Sequence, residues 1–131
     1  MLIGHPDRDK AVPGNADWFR GVVWQLEVTR PQTEGGVATL AVWFEPGGRT
    51  RPHVHPVDQA LHIMEGVGIV ATDTEKRIVR TGDTVVVPAG VWHWHGAKPD
   101  TAMCHISIKQ PGETDWSSPW GDWEAYMEGA V

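Results

Sequence analysis

The sequence predicts an all-β fold in a single domain that covers residues 1–131. A chain of 131 residues fits one hydrophobic core and leaves no room for a second. Fifteen glycines and ten prolines recur at short intervals, and long stretches of helical periodicity are missing, which is typical of short strands joined by turns. Roughly seven or eight such strands favour a sandwich or a small barrel whose interior can hold one ligand.

The clearest strand covers residues 37–44, V-A-T-L-A-V-W-F, where Leu40, Val42 and Phe44 share one face. Glycine-containing turns are expected at 65–66, 81–83 and 88–90. The other predicted strands cover residues 21–29, 59–64, 68–72, 76–80, 84–87 and 101–109.

Residues 110–131 form a tryptophan-rich C-terminal tail with a different pattern. Ser118 followed by Pro119 resembles a helix N-cap with proline at the first helical position. Helical spacing then relates three apolar residues: Trp120, Trp123 and Met127. We therefore expect a short amphipathic helix that packs on the barrel or at a subunit contact.

Charge and composition limit the possible partners. A formal net charge of −6 makes nucleic acid or an anionic membrane a poor partner, and no apolar run approaches the roughly 18 residues of a membrane span. The N-terminal residues lack the basic start and apolar centre of a secretory signal. The single cysteine, Cys104, precludes an internal disulfide. We expect a cytoplasmic protein that binds a small molecule.

Histidines at positions 53, 55 and 93 predict a metal site. On a strand, His53 and His55 point the same way and can aim their imidazoles at one point. By itself an H-x-H pair is more often two surface residues than a metal site. His93 follows a Pro-x-Gly turn that a barrel can bring beside the first pair, and Gln59 is an even offset from both. Imidazoles suit several divalent metals.

Two longer patterns identify a family. The first, G-x5-H-x-H-x3-(E or Q)-x6-G, is met by Gly47, His53, His55, Gln59 and Gly66. The second, G-x5-P-x-G-x2-H, is met by Gly82, Pro88, Gly90 and His93. Over residues 37–109 the chain therefore resembles a small single-domain cupin, although Ala97 stands where the usual pattern carries asparagine.

The cupin resemblance implies a jelly-roll barrel, the double-stranded β-helix. It also implies that His53, His55, Gln59 and His93 hold one divalent metal ion. Three neutral imidazoles and a neutral amide leave the charge of the ion uncompensated, which favours Lewis-acid chemistry over oxygen activation. His95, on the same strand face as His93, is expected to orient the metal ligands without contacting the metal itself.

Strand alternation in residues 101–109 places His105 on one face with Met103, Ser107 and Lys109. One face of this strand must look into the barrel. A histidine that faces the metal is positioned for proton transfer, with an unperturbed pKa of about 6.5.

The segments H-V-H-P-V-D-Q at 53–59 and H-W-H-G-A-K-P-D-T-A-M-C-H at 93–105 are similar to a bacterial cupin group that includes the manganese-dependent hydroxynitrile lyases. That resemblance implies a base at His105 and a substrate pocket lined by Leu40 and Val42. It favours manganese, with iron, zinc, nickel and cobalt as alternatives. Lys109 replaces a glutamine of that group and Leu40 an alanine, so a narrower, more cationic pocket is expected, suited to an acidic substrate or to cyanide.

Other functions stay open at this point. The alternatives are a dioxygenase or sugar isomerase of the cupin type, and a non-enzymatic cupin that binds a small molecule. Exposed strand edges and many tryptophans predict a homodimer or a larger homo-oligomer.

Overall fold

The computed structural model describes residues 1–119, 125 and 127–131, and over these residues the fold is all-β, as predicted. In this part of the chain a short 3-10 helix, Arg8–Lys10, precedes ten strands. They are β1 (Val12–Pro13), β2 (Phe19–Arg20), β3 (Val23–Thr29), β4 (Ala38–Phe44), β5 (Arg49–Thr50), β6 (Gln59–Thr72), β7 (Lys76–Arg80), β8 (Thr84–Val87), β9 (His93–Ala97) and β10 (Met103–Lys109). None of the described helices is long and apolar enough to cross a membrane.

The strands form two antiparallel sheets that share β6. The first sheet has the order β1-β3-β4-β10-β6-β8. The second has the order β2-β5-β9-β6-β7. The first half of β6 therefore lies between β10 and β8, and its second half lies between β9 and β7. This arrangement is the curled jelly-roll sheet expected of the cupin barrel.

Gly66 lies where β6 passes from one sheet to the other. Its φ of 80° is in the left-handed region, and a Cβ at this position would overlap the carbonyl oxygen of Ala102. The sequence predicted two strands with a turn at residues 65–66. The structure instead has one continuous strand of 14 residues, because glycine lets the chain bend without ending the ladder.

Other differences from the predicted elements concern short or polar segments. The strands at residues 76–80 and 84–87 have the predicted bounds, whereas the two-residue strands β1, β2 and β5 carry too little pattern to be predicted. The sequence placed His93 and His95 on one strand face but predicted no bounds for β9, because the segment H-W-H-G-A lacks β-branched residues. His53 and Val54, placed on a strand by the sequence, form only isolated bridges.

The hydrophobic core lies between the two sheets. It contains residues from both: Val23, Val42, Phe44, Leu61, Ile63, Val70, Val79, Val87, Ala97 and Met103. Burying each larger aliphatic side chain contributes about 1.5–3 kcal/mol. On β4, Val42 and Phe44 belong to this core and Leu40 packs against it from the side.

The C-terminal tail packs on the second sheet. Met127 and Ala130 contact a small cluster that contains Trp94, and the N–H of Ile78 donates to the carbonyl of Val131 at 2.7 Å. The helix predicted after Ser118 falls mostly on residues 120–124 and 126, which lie outside the described residues, so it stays a prediction.

Candidate metal centre

Three predicted histidines converge between the sheets. His53, in the segment between β5 and β6, forms an antiparallel bridge with His93, the first residue of β9. The His53 N–H donates to the His93 carbonyl at 2.9 Å, and the His93 N–H donates back at 3.1 Å. His55 follows two residues later. All three side chains are buried, and one ligand nitrogen from each lies within 4.8 Å of the others.

Hydrogen bonds at Nδ1 orient the three rings. His53 Nδ1 donates to the carbonyl of Arg51 at 2.6 Å, and His93 Nδ1 donates to the carbonyl of Val91 at 2.9 Å. Because a carbonyl only accepts, these bonds place the proton on Nδ1 and leave a lone pair on Nε2. His55 Nδ1 lies 3.2 Å from Thr114 Oγ1, and its Nε2 is buried without a hydrogen-bond partner.

Gln59, the first residue of β6, completes this group. Its Nε2 donates to Ser107 Oγ at 2.8 Å, which turns its Oε1 towards His93 Nε2 at 3.1 Å. Two atoms that each offer a lone pair therefore face one another. Together with the unpartnered Nε2 of His55, this arrangement fits a cation held by three imidazoles and an amide oxygen.

Burial sets the protonation of the imidazoles. It lowers the pKa of His55 to about 4, with the charge of His93 as a further cause. Burial also holds the pKa of His53 well below its ordinary value and lowers the pKa of His93. All three rings are therefore neutral at pH 7, which is the form that binds a metal.

His105 and His95 form a second pair beside these ligands. His105 Nε2 lies 2.9 Å from His95 Nδ1, so one ring donates to the other. Both rings are buried and pack edge-on or tilted against Phe44. His95 contacts the rings of His53 and His93 at centroid distances of 5.6 and 5.7 Å, but its hydrogen bond goes to the predicted base and not to a predicted ligand.

The pKa of His105 differs from the sequence expectation. Burial lowers it to about 4, whereas an unperturbed imidazole titrates near 6.5. His105 is thus neutral at pH 7, and it takes up a proton only from a group that has itself become acidic. A β-bulge interrupts the β10–β6 ladder between Cys104 and His105, a feature that occurs next to active sites.

A pocket of about 470 Å³ opens beside these histidines. Leu40 and Val42 line it, and so does Lys109 at the end of β10; their role in substrate binding stays a prediction. The ladder between β10 and β4 pairs His105 with Val42 and Ser107 with Leu40, so the predicted base and the apolar wall stand side by side.

The sequence reasoning missed eight further pocket residues: Trp18, Phe19, Gln25, Thr50, Ser107, Glu113, Thr114 and Trp116. Trp18 and Trp116 stack with ring centroids 5.4 Å apart, and Trp116 also lies 4.5 Å from the ring of His53. Trp18 comes from an N-terminal turn and Trp116 from the C-terminal tail, segments that carry no motif. Ser107 had a usable signal, since alternation places it on the His105 face.

The sequence matches the cupin domain family over residues 41–109. The chain belongs to the cupin family, as the barrel and the clustered histidines also indicate. A solved structure of a cupin-like protein from Thermotoga maritima is 31% identical and covers 99% of this chain and 96% of its own, with a TM-score of 0.82.

Relatives with assigned activities belong to more than one class. An (R)-mandelonitrile lyase from Granulicella tundricola is 39% identical over 98 residues, which are 74% of this chain and 75% of the lyase. An acireductone dioxygenase from Parasynechococcus marenigrum is 30% identical over 111 residues. That match covers 73% of this chain and only 60% of the dioxygenase, which is a longer protein.

Proposed function

We propose that the chain is a divalent-metal-dependent lyase that acts on a small hydroxylated substrate such as a cyanohydrin. The observation that carries the proposal is the presence, beside one pocket, of an all-neutral donor set and a buried neutral histidine pair. The similarity to a mandelonitrile lyase over three quarters of both chains supports it. Manganese is the proposed ion, with iron, zinc, nickel and cobalt as alternatives.

The residues proposed to hold the ion are His53, His55 and His93, through Nε2, and Gln59, through Oε1. When bound, the ion acts as a Lewis acid that lowers the pKa of a substrate hydroxyl. Without an anionic ligand this effect is strong, because no protein charge offsets the charge of the ion. Ser107 contributes by accepting from Nε2 of Gln59, which leaves Oε1 directed towards the proposed metal site.

The histidine pair is proposed to take up the hydroxyl proton. As the proton moves to His105, the carbon–oxygen double bond forms and the bond to the nitrile carbon breaks. The electron pair leaves with cyanide, which takes the same proton back from His105 to become hydrogen cyanide and returns the base to its neutral form. A proton that enters the pair is shared across the 2.9 Å contact with His95. His95 therefore positions the ring of His105 and sets its tautomer.

The apolar wall serves the rest of the substrate. Leu40 and Val42 lie opposite Ser107 and His105 on the neighbouring strand, and the indole of Trp116 lies against the His53 ring. These groups can hold a hydrocarbon or aromatic substituent and keep water from the reacting atoms.

The experiment is a turnover assay with manganese-loaded protein and mandelonitrile, followed by benzaldehyde absorbance. We expect activity in the native protein and none in His105→Ala. The matched control is His62→Ala, since His62 lies on β6 outside the pocket and contacts Thr84; its activity should equal the native value. Activity no higher than that of His105→Ala across a panel of aliphatic and aromatic cyanohydrins would contradict the proposal.

A dioxygenase is the second candidate, because the acireductone dioxygenase relative matches 73% of the chain. Oxygen uptake by iron-loaded protein separates the two reactions. The neutral donor set favours the lyase, since no protein anion stabilises a higher oxidation state of the metal. A ligand that binds without being converted would support the third possibility, a non-enzymatic binding module.

A further inference from the structure

Lys109 lines the same pocket as His53, His55 and His105. It is the last residue of β10 and follows His105 and Ser107 at two-residue steps on the inward face. Residues two apart on a strand are separated by about 6.7 Å. Lys109 thus lies one step beyond Ser107, whose hydroxyl contacts Gln59 at 2.8 Å.

The charge of Lys109 is poorly compensated within the pocket. Among the described pocket residues the only other charged side chain is Glu113, which is exposed. In the described part of the chain no ion pair involves Lys109, and the single hydrogen bond of its side chain is a long one, 3.4 Å from Nζ to the carbonyl of Gln110.

The ammonium group shares a pocket with the proposed metal ligands. Lys109 is partly buried, and it lines the same pocket as His53 and His55. A divalent ion held by neutral donors would add further positive charge to the same pocket. Buried positive charge without a counter-charge is costly, so an anionic ligand is the partner that this pocket lacks.

We propose that the substrate carries a carboxylate in addition to its hydroxyl group, and that Lys109 binds the carboxylate. The assignment of the hydroxyl group rests on the proposed function, whereas the assignment of the carboxylate rests on Lys109. The substrate class is then a small hydroxylated acid. The 470 Å³ pocket accommodates a substituted benzoate of this kind.

The test measures binding and not turnover, so that it is independent of the lyase reaction. The two probes are 4-(hydroxymethyl)benzoate and its neutral analogue 4-(hydroxymethyl)benzamide. Their affinities are measured by isothermal titration calorimetry with manganese-loaded protein and with metal-free protein. A charge-assisted hydrogen bond should favour the carboxylate about tenfold, and the preference should weaken as salt is added.

Three variants assign the preference to Lys109. Lys109→Gln should bind both probes equally, and Lys109→Arg should retain the preference. Lys10→Gln, which removes an exposed lysine of the N-terminal 3-10 helix, should behave as the native protein does. An unchanged urea unfolding midpoint in each variant would show that the fold is intact.

Equal affinity of the native protein for the two probes would overturn the assignment. A carboxylate preference that survives in Lys109→Gln would overturn it as well, since the carboxylate would then be held by another group. Neither result bears on whether cyanohydrins are cleaved. Conversely, a protein that prefers the carboxylate and cleaves no cyanohydrin would retain the Lys109 assignment and lose the proposed reaction.

Discussion

Replacing Gln59 by glutamate tests the role of neutrality in the donor set. The substitution keeps the shape of the side chain and exchanges the amide for a carboxylate 3.1 Å from His93 Nε2. The contact with Ser107 survives, because the hydroxyl can rotate and donate to the carboxylate instead of accepting from the amide. The change is therefore one of charge, and its effect should appear in metal affinity.

The magnitude follows from Coulomb's law. One negative charge about 3 Å from a divalent ion gains about 3 kcal/mol even in the dielectric of bulk water, and several times more in a protein interior. The cost of desolvating the carboxylate offsets several kcal/mol of the attraction expected in the protein interior. We expect a net gain of about 1.5–3 kcal/mol, which is roughly a tenfold to hundredfold lower Kd for the metal. Lewis acidity falls at the same time, so cyanohydrin cleavage should slow.

The assay is competition for Mn²⁺ against a chromophoric chelator, with turnover measured on the same samples. Gln25→Glu is the matched control, because Gln25 lines the same pocket from β3 and is not a proposed ligand. It should change the metal Kd by less than Gln59→Glu does. If Gln59→Glu binds Mn²⁺ with the native Kd and reacts at the native rate, Gln59 is not a ligand and the argument from neutrality fails. Equal effects of the two substitutions would refute the assignment to Gln59 specifically.

Three further outcomes follow from the structure. Gly66→Ala should lower the free energy of unfolding in urea by at least about 3 kcal/mol, because its Cβ meets the carbonyl of Ala102 and its φ is positive. Gly82→Ala, where φ is positive but no atom lies within 4 Å, should lower it by only about 1 kcal/mol. Equal losses would contradict the close approach at Gly66. Burial raises the pKa of Cys104 to about 12, so the native protein at pH 8 should react with a thiol reagent far more slowly than the unfolded chain; equal rates would show an accessible thiolate. Mn²⁺ at a hundred times its Kd should stabilise the native protein by about 2.7 kcal/mol and raise its Tm, and should leave His53→Ala unchanged; a similar rise in the variant would place the ion elsewhere.

Periodic strands could be predicted from the sequence, and features set by tertiary packing could not. Residues 76–80 and 84–87 alternate and end at turn residues, so their bounds were predicted correctly. The bounds of β9 were not predicted because its pairing with β6 and β5 compensates for a weak local preference. At Gly66 the glycine predicted the end of a strand. The strand instead continues into the second sheet, and no local pattern in the sequence indicates this continuation.

The candidate site shows the same division. Motif spacing predicted that the three histidines and Gln59 lie together, and the structure brings them together. Alternation placed His105 and Ser107 on one face, and this face lines the pocket. The hydrogen bond between His105 and His95 joins strands of different sheets, so no local pattern contains it. Depth of burial, which lowers the pKa of His105 to about 4, also depends on the whole fold. Self-association stays a prediction, and a monomer mass in light scattering would contradict it.

Metal binding and proton transfer, the two parts of the proposed chemistry, both depend on β10. On β10, Ser107 orients the amide of Gln59, and His105, two residues earlier, faces the same pocket. The ladders to β4 and β6 fix both residues at once. Because a shift of one residue would turn both side chains away from the pocket, the ligand geometry and the base position cannot vary independently. Substitutions that loosen β10, such as those at Cys104 beside the register shift of the β10–β6 ladder, should therefore weaken metal binding and proton transfer together.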